Sequence, residues 1–303
     1  MSAGNARPDM ARAPAGKILS RGSVMEKYDI DYAQMNTVLD GKTSPASLAW
    51  TPGEVHEFYE IMRSGRRITT TQVPVEEFNR VFTKYIEAGQ DIVYIACSSK
   101  QSVSVNTAHV LAEKLMKGHP ERKIFCIDSL NASMGEGMLA IEAARLAEKD
   151  MSAEEINEKI TAMRKKVNEY CTVHSLDALR RAGRVKATSA FFGNLMGVKP
   201  IIIADAVGAQ SAFKKVKGRQ NSFKEIVSLL KESIIDPEDQ TVYVLHADCT
   251  AEEVDQLKGL ILSEIPCKEI YVGYIGPIIG ASIGPDAVAI FGLGKEVTYN
   301  LGD

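Results

Sequence analysis

The chain has 303 residues, 45% hydrophobic and 25% charged, with a formal net charge of −3. That length suits two domains, each able to bury its own core, and the slightly negative charge argues against a general nucleic-acid binder, which would be strongly basic. No run of about 18 apolar residues is present to span a membrane.

The chain begins MSAGNARPDMARAPAGK, a small, polar stretch without the apolar segment of a secretory signal. The expectation is a disordered segment over 1–16 and a cytoplasmic protein. The five cysteines, Cys97, Cys126, Cys171, Cys249 and Cys267, form no C-x-x-C pair and read as reduced thiols. EVHEFYEIMRSG reads as a helix. ITTTQVPVEEFNRVFTKYIEAG reads as a loop entering a second helix, with Pro74 suited to its first turn and Glu76 and Glu77 favouring its N-terminus. DIVYIAC (91–97) and KIFCID (123–128) are short apolar runs rich in β-branched residues, as in buried parallel strands. Each is followed by a polar loop and a helical pattern, over 103–116 and again in MLAIEAARLAEK. Strand, loop and helix repeated twice imply right-handed βαβ units and a parallel sheet. Ligands bind at the carboxyl ends of such strands, which places Ser98–Ser102 and Ser129–Gly137 on the functional rim.

SAEEINEKITAMRKKVNEY reads as a charged amphipathic helix that opens with a capping box, Ser152 to Glu155. Two further helices are expected in LDALRRAGR and ATSAFFGNLMG, then a hairpin of KPIIIADA and AQSAFKKV turning at Val207-Gly208. SFKEIVSLLKES and AEEVDQLKGLILSE read as helices, TVYVLHA and EIYVGYI as strands, and a glycine-rich tail surrounds AVAIFGL. The predicted fold class is α/β in two domains. An N-terminal parallel-sheet α/β domain covers 17–165, and a C-terminal α+β domain with a mixed sheet covers 166–303.

No H-x-x-x-H pair, Cys/His cluster, P-loop, dinucleotide fingerprint or G-x-S-x-G elbow is present, so no metal or cofactor is expected. The rim carries hydroxyls instead. Thr69, Thr70 and Thr71 form one loop; Ser98, Ser99, Ser102 and Ser104 a second; Ser129, Asn131 and Ser133 a third; and Ser282 lies in a glycine-rich fourth. Hydroxyls at helix N-termini can hold a carboxylate or phosphate without a metal, although the same residues serve as ordinary caps and turn formers. Basic clusters occur at Arg63/Arg66/Arg67, at Arg180/Arg181/Arg184/Lys186 and at Lys214/Lys215/Lys217/Arg219, either as solvated faces or as docks for an acidic partner. Asp128 caps the following turn or, as the alternative, acts as a general base.

Taken in order, these loops resemble the DegV family, which includes the lipid-binding subunits of bacterial fatty-acid kinase. Thr70-Thr71-Gln72-Val73-Pro74 stands where members show T-S-Q-P-S. Ser98-Ser99-Lys100-Gln101-Ser102-Val103-Ser104 stands for S-S-x-L-S-G-T, and Asp128-Ser129 through Gly135-Glu136-Gly137 for D-S-x-x-x-S-x-G-x-G. Leu179-Arg180-Arg181-Ala182-Gly183-Arg184-Val185, Met196-Gly197-Val198-Lys199-Pro200-Ile201 and Ile275-Gly276 through Gly284-Pro285 match three later motifs.

The resemblance implies a long-chain fatty acid between the two domains. Its carboxylate would be held by Thr70 and Ser102, with Thr71, Ser98, Ser99 and Ser282 nearby. It implies a carrier rather than an enzyme, a monomer that contacts membranes only during lipid exchange and binds no nucleic acid. It also implies a separate fatty-acid kinase catalytic subunit as partner, docking on Arg181 and Arg184. A vestigial or regulatory lipid sensor is the alternative, with a hydrolase or phosphotransferase using the serine loop behind it. The chain departs from the family pattern at four places, one of them being that the family's N-terminal D-S strand is not recognisable in KILSRGSVMEKYDI. Ser282 replaces a histidine, Val103 a glycine, and Asp286 a glycine, the last putting a negative charge near the anion site.

Overall fold

The computed structural model describes residues 27–47, 49–191 and 197–301. The segment expected to be disordered, 1–16, lies outside them. In chain order, β1 (Asn36–Leu39) and β2 (Lys42–Pro45) form a hairpin that the sequence reading did not anticipate. Its turn uses Asp40 and Gly41, both at positive φ, as a two-residue hairpin turn requires. After α1 (Pro52–Arg63), capped by a Thr51–Glu54 box, β3 (Ile68–Thr70) pairs with β1. Part of the expected threonine loop is therefore a strand. Pro74 is the N-cap of α2 (Val75–Glu87) rather than a first-turn residue. The parallel pair β4 (Ile92–Ala96) and β5 (Ile124–Asp128) alternates with α3 (Ser104–Gly118) and α4 (Met134–Ala147), as predicted for βαβ units.

Helix α5 (Ala153–Met163) keeps its predicted capping box but stops earlier than expected. Residues 167–172, the VNEYCT read partly as helix, form β6 (Val167–Thr172), an inner strand of a six-stranded sheet. A strand paired on both sides gains ladder bonds that local helical periodicity cannot outweigh, and β-branched Val167 and Thr172 suit it. The rest comprises α6 (Asp177–Ala182), β7 (Val198–Ala204), β8 (Gln210–Lys217), α7 (Arg219–Ser233), β9 (Thr241–His246), α8 (Ala251–Glu264), β10 (Glu269–Tyr274), α9 (Pro277–Ile283) and β11 (Val288–Leu293). The sheet order is β10-β9-β11-β6-β7-β8, with β9–β10 parallel and the other pairings antiparallel, which is the mixed sheet predicted. The helix expected in ATSAFFGNLMG appears as a 3-10 turn over Ser189–Phe191, and residues 192–196 lie outside the described residues. Helix α9 occupies the segment expected to be a glycine-rich loop.

The pleat sorts the sheet residues by face. Ile201, Val244 and Ile290 pack on Phe223, Leu230 and Leu257 of α7 and α8. The opposite face offers Val167, Cys171, Ile202 and Phe291, which join Tyr59 of α1, Leu139 of α4 and Ile160 of α5 in one cluster. Each such large side chain contributes roughly 1.5–3 kcal/mol on burial. The N-terminal elements and the large sheet thus share a core, and the site lies beside it.

Candidate functional site

A cavity of about 360 Å³ opens where the loops after β3 and β4, the head of α4, the inner sheet face and α9 meet. Ligand pockets begin at about 300 Å³. Thr70, Thr71, Ser99, Ser102 and Ser282 all line it, so hydroxyls from three separate segments converge. Met35, Leu179, Ile202, Ile278, Ile279 and Ile283 supply an apolar wall.

Hydrogen bonding decides which hydroxyls can donate. The Val73 N–H donates to Ser104 Oγ at 3.2 Å, and Ser104 Oγ lies 2.8 Å from Ser102 Oγ. Either hydroxyl can donate across that contact; donation from Ser104, which is buried and already accepts the Val73 N–H, satisfies both of its roles. Ser102 Oγ also accepts the Ser104 N–H at 3.2 Å. In that arrangement both its lone pairs are used, which leaves its O–H to point into the cavity. Thr71 differs, because its hydroxyl donates to the Gln72 carbonyl at 2.9 Å. Among the described residues, no protein group bonds the hydroxyls of Thr70, Ser99 or Ser282, and all three line the cavity.

Ser98 is a correction. It is fully buried and does not line the cavity; its Oγ accepts the Lys100 N–H at 3.2 Å, and its backbone forms the turn beneath Ser102. Gly208 presses on it so closely that an added Cβ would come within 2.3 Å of Ser98 Oγ. Asp128 accepts the N–H groups of Ser99 and Leu130 at 3.2 and 3.0 Å, which is the capping role.

The electrostatics favour an anion at the hydroxyl end. Helices α3 and α4 both begin at the cavity, at Val103 and Ser133, and neither has a side chain bonded in the N-cap position. Their N-terminal partial positive charge therefore acts on the cavity. Ser133 holds φ 55° and ψ −126°, a conformation that costs a residue with a side chain about 1–3 kcal/mol. The negative charge expected at Asp286 is ion-paired. Arg63 Nη2 meets Asp286 Oδ1 at 2.6 Å, and its Nη1 meets Asp248 Oδ2 at 2.7 Å, so Asp286 sits in an ion-pair network. Arg184 lines the cavity while its Nε donates to the Gln101 carbonyl at 3.2 Å, tying the loop after α6 to the serine loop. Arg181 is exposed, and its carbonyl accepts from Arg67.

Two cavity residues were not singled out by any motif. Glu169 on β6 and Gln210 on β8 meet at 3.1 Å and line the cavity. Burial pushes the Glu169 carboxyl up to about 7 despite that hydrogen bond. Elsewhere, among the described residues, His56, Glu60 and Asp248 come close enough to share a cation. Asp248 is already bonded there to Arg63 and His56. Burial pushes the thiols of Cys126 and Cys249 up to about 12, away from nucleophilic use.

Two α/β units closing on a cavity lined by both apolar side chains and hydroxyls define a small-molecule binding architecture. The chain belongs to the DegV family, described as uncharacterised proteins, which it matches over residues 20–295. A DegV domain-containing protein of Clostridium perfringens is 34% identical over 237 residues, covering 78% of this chain and 81% of the relative. A Streptococcus pyogenes relative is 28% identical over 273 residues, covering 89% and 93%. Among solved structures, a DegV lipid-binding protein of Thermotoga maritima superposes with a TM-score of 0.76 at 26% identity, covering 91% of this chain and 95% of that one. DegV of Bacillus subtilis, a fatty-acid-binding protein, gives 0.76 at 25% identity, covering 90% and 95%.

Proposed function

We infer that this protein binds a long-chain fatty acid and does no chemistry on it. The observation that carries the reading is the Ser102 hydroxyl, which lines the cavity within 2.8 Å of the buried Ser104 hydroxyl. Thr70, Ser99 and Ser282 add donors, and the α3 and α4 dipoles add field, so a carboxylate is held without a fixed charge or a cofactor. The acyl chain lies along Ile202, Ile278 and Ile279. Solved relatives described as lipid-binding and fatty-acid-binding support the ligand class. In the same reading, the protein works as a cytoplasmic monomer and presents the head group to a separate kinase subunit, which docks at the mouth on Arg181 and Arg184.

The test is Thr70→Val combined with Ser102→Ala, which removes two donors with little change of volume. Each unpaired contact costs about 1–3 kcal/mol, so fatty-acid affinity falls roughly a hundred-fold with the circular dichroism unchanged. Unchanged affinity in a folded double variant overturns the assignment of the head-group site. Native mass spectrometry of the purified protein should also show a co-purifying acyl chain.

A further inference from the structure

The inner face of the large sheet is apolar wherever it meets the N-terminal elements, except at one place. Val167 and Cys171 flank Glu169 on the same face of β6, Phe291 pairs with it on β11, and Ile202 lies on β7 beside it. Ala212 flanks Gln210 on β8. Two polar side chains, each 6% exposed, therefore sit in a hydrocarbon wall and face the cavity.

Their hydrogen bonding is incomplete. Gln210 Nε2 donates to Glu169 Oε2 at 3.1 Å, and that is the pair's one bond between side chains. Among the described residues, Gln210 Oε1 is fully buried without a partner. Turning the amide over changes which atom is orphaned, not that one is, because a protonated Glu169 would then donate to Oε1 and leave the NH2 unpaired. An unpaired buried polar atom is costly, and native proteins rarely keep one without a partner. A straight hydrocarbon chain cannot supply that partner.

We propose that Glu169 and Gln210 form a second polar subsite in the acyl-chain part of the cavity, and that the ligand is a fatty acid carrying a hydroxyl on its chain. A hydroxyl both donates and accepts, so it can bond the orphaned Gln210 atom and a Glu169 oxygen together. The near-neutral carboxyl of Glu169 suits an uncharged partner. The hydroxyl loops hold the carboxylate at one end and the sheet reads the chain at the other. The subsite thus rests on the fatty-acid reading but sets which acids bind best.

The test uses delipidated full-length protein and isothermal titration with octadecanoic acid and a positional series of hydroxyoctadecanoic acids. One hydroxy isomer should bind about ten-fold or more tighter than the unsubstituted acid, the worth of one satisfied buried polar contact. Glu169→Met with Gln210→Met keeps side-chain length and should reverse that preference. Thr70→Val with Ser102→Ala should weaken both acids alike. If the wild-type chain binds octadecanoic acid as tightly as every hydroxy isomer, the subsite is filled by water and the proposal fails while the fatty-acid reading stands. If it binds none of these acids, both fall. The wild-type comparison needs no variant, so a double variant that fails to fold does not blunt it.

Discussion

Glu169 carries a burial cost that depends on pH. Its ordinary carboxyl value is 4.5, and burial moves it up to about 7 in the folded chain. Below pH 4.5 both folded and unfolded forms are protonated and the group costs nothing. Between 4.5 and about 7 the unfolded chain releases the proton while the folded chain keeps it, so stability falls as pH rises, and above 7 the full penalty applies. That penalty is about 3 kcal/mol. Glu169→Gln removes the titration, so urea unfolding of the delipidated protein at pH 4.5 and pH 8 should show the wild type losing about 3 kcal/mol more than the variant across that range. An equal pH slope in the two would show the carboxyl to be hydrated. Nothing at residue scale in the sequence marks Glu169, because VNEY continues a charged helical stretch. Ser99 and Ser102 were legible as rim residues because hydroxyls between a strand and a helix are already a ligand-binding pattern, whereas Thr70 ends β3 itself. Ser98 shares that pattern and still points elsewhere, since the bond it makes to the Lys100 N–H is not encoded in residue type.

At the scale of elements, α9 carries Ile279, Ser282 and Ile283 to the cavity and rests on α1. The contact depends on Gly280. A Cβ there would lie 2.5 Å from Tyr59 Oη, and Tyr59 is fully buried with its hydroxyl donated to the Ile275 carbonyl at 2.8 Å. Gly280→Ala must push α9 off α1 or break that bond. Overpacking of this kind costs about 1–3 kcal/mol, and the displaced helix should also weaken fatty-acid binding. Thermal unfolding and titration check the two effects, and a variant with unchanged stability and affinity would show that α9 adjusts freely. The sequence showed the glycines but not the helix, because PIIGASI is too short and too uniformly apolar to display a helical period.

Across the whole molecule, Arg63 ties α1 to the loops after β9 and before β11. It bonds Asp248 at 2.7 Å and Asp286 at 2.6 Å with a quarter of its side chain exposed. Partial burial opposes its charge, but the bonds to Asp248, Asp286 and Glu60 outweigh that and raise its pKa. Arg63→Met leaves two neighbouring carboxylates without their shared partner. The expected loss is about 1–2 kcal/mol in low salt, a fall of several degrees in Tm, shrinking in 1 M salt as the charges are screened. Equal Tm values in low salt would show the network to be stability-neutral.

The sequence by itself determined the βαβ alternation around β4 and β5, the mixed composition of the second unit, and the loops that carry hydroxyls to the rim. These are local properties, written in hydrophobic period and in the turn residues that follow each strand. Tertiary structure alone decided that β6 is a strand, since its bonds go to β7 and β11, about thirty and more than a hundred residues away respectively. It decided that Asp286 pairs with Arg63, and that Glu169 and Gln210 meet in an apolar wall. Each of these depends on partners distant in sequence, and burial, charge pairing and pKa are set by what surrounds a side chain in space.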